Sequence, residues 1–204
     1  MKYRDLGTTD LRVSEVGFGV WTVSTGWWGK IEEAQAVDLL VKAFDHGVNL
    51  FDTGDTYGLG YGEEILAKAL KGQRHDIVIG TKFGYDFYTH QEREGHTERP
   101  QNFSPEFIRY ACEQSLSRLD TDYIDLYQMH RPSPDVPFEE TLGALHDLVT
   151  QGKIRYIGCS THPAWMVMEA IGVSEARGWA RYVSEQPPYN LLDRRIENEL
   201  IPMC

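Results

Sequence analysis

Asp52, Lys82 and His130 each close a short apolar run, and Tyr57 follows Asp52 by five residues on a glycine-rich loop. These four side-chain types suit proton transfer. A tyrosine with its ordinary pKa of about 10 exchanges protons poorly at neutral pH, but a nearby ammonium favours the phenolate and lowers that pKa. An aspartate paired with the lysine keeps the ammonium charged and fixed. A histidine can donate a hydrogen bond to a carbonyl oxygen and orient it. The four contain no nucleophile–base pair and no metal-ligand spacing. The set therefore suits donation of a proton to an oxygen that is gaining charge, as carbonyl reduction requires when hydride comes from a separate cofactor. Singly, each residue has a plainer account: an Asp that caps a turn, a Tyr that packs, a Lys that pairs with an Asp. Only a fold that gathers the ends of these runs makes them one site.

The runs are strand candidates. Val16–Val20, Val48–Asp52, Ile77–Lys82, Tyr123–His130, Ile154–Cys159 and Val183–Gln186 are short and mostly apolar rather than alternating, which is the pattern of parallel strands covered on both faces. Helical periodicity lies between them: Glu32–His46, Glu63–Leu70, a helix from Ser104-Pro105-Glu106 to about Leu119, Phe138–Thr150 and Pro163–Arg177. Ser104 is a hydroxyl cap followed by a proline at the first helical position. Gly47 and Gly152 are placed to end helices. Ahead of this alternation, Tyr3–Leu6 and Leu11–Val13 flank Gly7-Thr8-Thr9-Asp10 and read as a hairpin. The stretch after Val20 reads as an aromatic loop carrying Trp21, Trp27 and Trp28. Asp193 begins a further helix. Phe83–Phe103 lacks periodicity and is long for a connection, which marks it as a binding loop.

Composition narrows the field. The 204 residues, 41% hydrophobic, are enough for one core, and no Pro/Gly/Ser-rich linker divides 1–204 into two domains. A net charge of −11 argues against a general nucleic-acid or anionic-membrane binder. No apolar stretch approaches the roughly 20 residues of a membrane span, and the first residues lack the apolar segment of a signal peptide. Cys112, Cys159 and Cys204 match no metal or disulfide spacing, which fits a cytoplasmic protein whose thiols serve as small core residues.

Alternating strands and helices leave two α/β folds. A doubly wound sheet calls for a glycine fingerprint after its first strand, and Gly17-x-Gly19 followed by Val20-Trp21 does not supply it. Gly58, Gly60 and Gly62 have alternate spacing and read as a flexible turn rather than a phosphate loop. A (β/α)8 TIM-type barrel fits better, because its functional groups gather at the carboxyl ends of several strands. Asp52, Lys82, His130 and Ser160 occupy such ends.

Several motifs together resemble the aldo-keto reductases along the whole chain. They are the opening Tyr-Arg-Asp-Leu-Gly-Thr-Thr-Asp-Leu with Val-Ser-Glu-Val-Gly-Phe-Gly, and Phe51-Asp52-Thr53 with Tyr57-Gly58-x-Gly60 and Glu63. Further along come Thr81-Lys82, Asp122-Tyr123-Ile124-Asp125-Leu126-Tyr127 with His130, Gly152-Lys153-Ile154-Arg155-Tyr156-Ile157-Gly158, and Gln186-x-x-Tyr189-Asn190. The resemblance implies a barrel with an N-terminal β-hairpin, of which about the first six β/α units are present. It implies NADPH-dependent reduction of a small aldehyde or ketone, with Tyr57 the general acid, Lys82 and Asp52 tuning it, and His130 orienting the carbonyl. Trp21, Asp52, Ser160, Thr161 and Gln186 would line the nicotinamide end of NADPH; the choice of NADPH over NADH rests on the family alone. Two departures stand out. Thr161 takes a place where the family often has Asn, and Cys204 falls after the sixth strand. The expectation is therefore that these residues belong to a chain of about family length, roughly 250 residues or more.

The same barrel serves the β subunits of voltage-gated potassium channels, and Arg131-Pro132 and Phe138-Glu139-Glu140-Thr141 are reminiscent of them. A binding or regulatory subunit of that kind is the alternative, beside a truncated, inactive relative. Those subunits tend to carry Asn where His130 stands, which favours catalysis. Trp21–Trp28 and Tyr85–Phe103 are the candidate substrate walls, and their aromatics suggest an apolar aldehyde or ketone. Oligomeric state is open.

Overall fold

The computed structural model describes residues 1–92, 97–133 and 135–204. Strands β1 (Tyr3–Asp5) and β2 (Arg12–Ser14) pair antiparallel as the expected hairpin. Six further strands follow: β3 (Phe18–Gly19), β4 (Leu50–Asp52), β5 (Val78–Phe83), β6 (Ile124–Met129), β7 (Ile154–Ser160) and β8 (Tyr182–Gln186). They form one parallel sheet in chain order, each neighbour joined by a helical crossover. The helices are α1 (Trp21–Ser24), α2 (Glu33–Asp45), α3 (Tyr61–Ala69), α4 (Pro105–Arg118), α5 (Phe138–Thr150), α6 (Ala164–Arg177) and α7 (Leu200–Met203). None is long and apolar enough to cross a membrane, among the described residues.

The sheet is curled. Four strand spacings separate β4 from β8, about 19 Å in a flat sheet. Yet the Gln186 amide at the end of β8 donates to Asp52 Oδ2 at the end of β4 over 3.3 Å. The six strands thus form part of a (β/α) barrel wall, as the strand pattern predicts. Register then sorts the side chains. Asp52 lies beside Gly80, Lys82 beside Gln128, Gln128 beside Gly158 and Ser160 beside Gln186. Because side chains alternate between faces, these residues share the concave face. Phe51, Ile79, Phe83, Tyr127, Met129, Ile157 and Cys159 occupy the convex one and pack with the helices in the main apolar core.

The helices follow their local chemistry. In α4 the Ser104 hydroxyl accepts from the Phe107 amide at 3.3 Å and Pro105 opens the helix; Phe107, Ile108, Ala111, Cys112, Ser115 and Leu116 are its buried face. The hairpin lies across the amino ends of the strands, where Leu11 and Val13 pack with Val78, Leu50 and Tyr156. Arg155 and Tyr156 both bond the Asp10 carboxylate there. The concave face is therefore apolar at that end and polar at the other.

Three local expectations change. The aromatic stretch after Val20 contains the helical turn α1. The segment from Asp193 is not one helix but a 3-10 turn, Arg195–Glu197, followed by α7. Pro202 explains the break: inside a longer helix its ring would clash with the Asn198 carbonyl, whereas the first turn of a helix accepts it. Cys112 and Cys159 are core residues, but Cys204 is exposed.

Candidate active site

Three strands and one loop position the four proton-transfer candidates. Lys82, near the end of β5, is 2% exposed. Its ammonium donates to Asp52 Oδ1 at 2.5 Å and to the Thr53 carbonyl at 2.9 Å. Burial works against that charge, but Asp52 and Tyr57 more than offset it, so the Lys82 pKa lies above its ordinary value. Tyr57 leans over the pair, its ring centroid 5.2 Å from the ammonium. His130, two residues beyond Gln128 on the same face, meets the Tyr57 ring edge-on at 5.6 Å. The structure thus brings Asp52, Tyr57, Lys82 and His130 together at one mouth.

Glycines make room for Tyr57. A side chain at Gly58, where φ is +60°, would meet the Ser24 carbonyl at 2.4 Å. The Tyr57 ring lies against Gly54, where a Cβ would sit 3.2 Å from it. The loop therefore holds the phenol in place rather than merely permitting it to move.

The electrostatics differ from the simple expectation for Tyr57. Burial raises its pKa, and the lowering by Lys82 does not overcome that. The phenol is a fully protonated donor at neutral pH. His130 is pushed down to about 3, by burial first and then by Lys82 and Arg131, so its imidazole is neutral. Its Nδ1 is buried without a partner among the described residues. A neutral ring and a protonated phenol side by side can together donate to one oxygen in the space above them.

That space is a cavity of about 340 Å³ bordered by Trp21, Trp27, Tyr57, Tyr85, His130 and Arg131, among others. Trp21 packs against Trp27 at a tilt, with ring centroids 5.7 Å apart, and meets Trp28 edge-on at 5.9 Å. Trp27 borders the cavity, while Trp28 is 78% exposed outside it. From the Tyr85–Phe103 segment, Tyr85, Glu98 and Arg99 reach the cavity; positions 93–96 of that segment lie outside the described residues.

Of the residues expected at a nicotinamide, Ser160, Thr161 and Gln186 gather on the other side of Asp52, whereas Trp21 borders the cavity above Tyr57. The Gln186 amide bridges Asp52 and Gln128, accepting from Gln128 Nε2 at 3.2 Å. The Ser160 hydroxyl donates to the Gln186 carbonyl at 2.8 Å. Thr161, with φ +60°, donates to the Ser160 carbonyl and accepts from Arg131. This set of one primary amide and one hydroxyl, each with bonding capacity left, fits a carboxamide group. Thr161 is committed to its neighbours and fits it less well.

Sequence reasoning missed three features. Gln128 looked like one polar residue inside a strand, and only its spacing of two from His130 placed it on the same face. Arg131 drew notice only as a channel-subunit likeness. A buried charge cluster behind the loop also went unread. Glu63 is 0% exposed, and accepts from Thr81 Oγ1 at 2.6 Å and Arg118 Nε at 2.7 Å. Beside it Asp55, also 0% exposed, has no partner of good hydrogen-bond geometry for either carboxyl oxygen among the described residues. Burial and the Glu63 charge push the Asp55 pKa well up.

Comparison with known proteins bears on the family and the fold. The model of the "Aldo/keto reductase family" matches residues 15–204. Aldo-keto reductase YhdN of Bacillus subtilis is 36% identical over 99% of this chain and 58% of its own length. The NADH-specific methylglyoxal reductase of Escherichia coli is 35% identical over 100% of this chain and 64% of its own. A probable voltage-gated potassium channel subunit beta of Arabidopsis thaliana is 33% identical over 100% and 60%. In structure, the holo form of aldo-keto reductase AKR11C1 from Bacillus halodurans superposes with a TM-score of 0.82 at 37% identity, over 97% of this chain and 61% of that one. The chain thus spans about three fifths of the length of the relatives it matches.

Proposed function

The chain belongs to the aldo/keto reductase family, and from that premise we propose that its site reduces an aldehyde or ketone to an alcohol using a nicotinamide cofactor. The observation that carries this reading is the Tyr57 phenol poised over the ion pair of buried Lys82 with Asp52, its ring edge-on to His130. When bound, a nicotinamide would supply the hydride for the carbonyl carbon. Negative charge then grows on the carbonyl oxygen, and Tyr57 donates its proton there. Lys82 favours the phenolate left behind, and Asp52 keeps the ammonium fixed. His130, neutral and fixed, donates to the same oxygen and orients it.

Trp21, Asp52, Ser160, Thr161 and Gln186 hold the nicotinamide end in this reading. NADPH is the proposed form, by the family resemblance. Because Trp21 borders the site, titration with NADPH is expected to quench tryptophan fluorescence more strongly at a given concentration than NADH does. Equal or stronger quenching by NADH would reverse the proposed preference.

The second reading, a binding subunit similar to the channel relative, gains from that relative's identity and loses from His130. It retains cofactor quenching without turnover of a test aldehyde such as benzaldehyde.

A further inference from the structure

The cavity above Tyr57 is not the apolar slot that its tryptophans suggest. Arg131, Arg99 and Glu98 border it together with Tyr57 and His130. In a protein of net charge −11, these three give the cavity wall an excess of positive charge. Arg99 is turned to the loop backbone, donating to the His90 and Gln91 carbonyls. Arg131 is different. Its Nε donates to the Tyr85 hydroxyl at 3.0 Å and its Nη1 to the Thr161 hydroxyl at 2.9 Å. Among the described residues its nearest carboxylate oxygen is Glu98 Oε1, 3.6 Å from Nε, and that oxygen already accepts from Tyr85 at 2.7 Å.

Other arginines here are held closely by carboxylates: Arg118 by Glu63 at 2.7 Å, Arg74 by Asp125 at 2.8 Å, and Arg155, Arg194 and Arg195 by two oxygens of one acid each. Arg131 is instead oriented by two neutral hydroxyls. That arrangement fixes the guanidinium plane through hydroxyls, and its ion pair with Glu98, at 3.6 Å, is longer than those of the other arginines named. Its side chain is 39% exposed, and its charge acts on both His130 and Tyr57. A planar cation fixed in this way beside the reacting atoms is suited to a carboxylate or phosphate oxyanion.

Resting on the reductase reading of the same site, we infer that the substrate is a carbonyl compound carrying an oxyanion group, and that Arg131 is the residue that recognises it. The carbonyl faces Tyr57 and His130 while the oxyanion lies on Arg131, displacing the long contact with Glu98. Apolar aromatics then serve as walls along the body of the substrate, and selectivity comes from the charge.

The test compares 4-formylbenzoate with its methyl ester, which has nearly the same shape and no charge; 4-formylphenyl phosphate is the third arm and separates carboxylate from phosphate recognition. Binding is read by quenching of tryptophan fluorescence, which requires no turnover, and kcat/KM is measured alongside. The protein is expected to bind at least one anion about 10- to 100-fold more tightly than the ester, as a charged hydrogen bond would provide. Arg131→Met is expected to abolish that preference, and Arg131→Lys to retain part of it, with the change falling on KM rather than kcat. Equal binding of the anions and the ester by the unmodified protein would overturn the inference without any variant. So would a preference that survives in Arg131→Met, or a variant whose only change is weaker NADPH quenching, which would assign Arg131 to the cofactor. Absence of turnover with an intact anion preference would refute the reductase reading and leave the oxyanion site standing.

Discussion

Replacing Tyr57 by phenylalanine is expected to lower kcat for aldehyde reduction by about 10²- to 10⁴-fold, the range that a positioned general acid contributes. The substitution removes one hydroxyl. The ring remains, so its edge contact with His130 at 5.6 Å and its seat against Gly54 are retained. Ser160 and Gln186, the proposed cofactor residues, lie on the other side of Asp52, so tryptophan quenching by NADPH should change little. The loss should appear in kcat rather than in cofactor affinity, because the lost hydrogen bond strengthens only as charge develops on the oxygen. The same geometry sets the pH profile. Burial raises the Tyr57 pKa above its ordinary value of about 10, so the proton is present throughout the neutral range. Activity should fall only at pH above that ordinary value, since the shift is upward. His130, with a pKa of about 3, should add no limb between pH 5 and 8. A variant within threefold of the parent kcat would exclude Tyr57 as the donor.

The second large effect is on stability. Glu63→Gln is expected to cost about 3–5 kcal/mol, the loss typical when one member of a buried ion pair is removed. Glu63 is the close carboxylate partner of Arg118, whose side chain is only 13% exposed. Arg118 also donates to Tyr88 at 3.1 Å and packs over Gly60, where a Cβ would meet its Cδ at 2.6 Å. The guanidinium therefore has no easy route to solvent. Glutamine keeps the size and the Thr81 hydrogen bond but leaves the cation uncompensated. Asp55, pushed up partly by Glu63, becomes easier to ionise in the variant and offsets some of the loss, which places the expectation toward the lower end. Urea denaturation followed by circular dichroism measures it at neutral pH. A loss below about 1 kcal/mol, the range of an exposed pair, would mean that the Glu63–Arg118 bridge is effectively solvated.

The strand ends were legible because three of them close apolar runs with a residue that burial does not favour. Asp52, Lys82 and His130 share the concave face for a reason already present in the strand: alternation with a period of two, with parallel pairing setting the register. Convergence across the barrel was legible only as a consequence of the fold, since Asp52 and Gln186 are far apart in sequence and meet through curvature. Arg131 could not be read the same way. An arginine after a strand end says nothing about its partners, and its significance lies in two hydroxyls, Tyr85 and Thr161, from separate loops. The Glu63–Arg118 pair was hidden because Glu63 sits in the first turn of α3, where an acid is expected on helix-dipole grounds alone. The expected lowering of the Tyr57 pKa failed because proximity to Lys82 is visible in a motif and depth of burial is not. The hairpin was identified, but its position across the amino ends of the strands depends on Leu11 and Val13 finding Val78, a contact no local pattern records.

The most direct measurement follows the hydrogen atom. The protein is incubated with benzaldehyde and NADPH deuterated at its transferable position, and the product is examined by mass spectrometry. The account predicts benzyl alcohol carrying one deuterium on its carbinol carbon, formed at a rate that depends on Tyr57. Product without the label, or no alcohol at all from protein that binds the cofactor, would contradict the assignment of this site to carbonyl reduction.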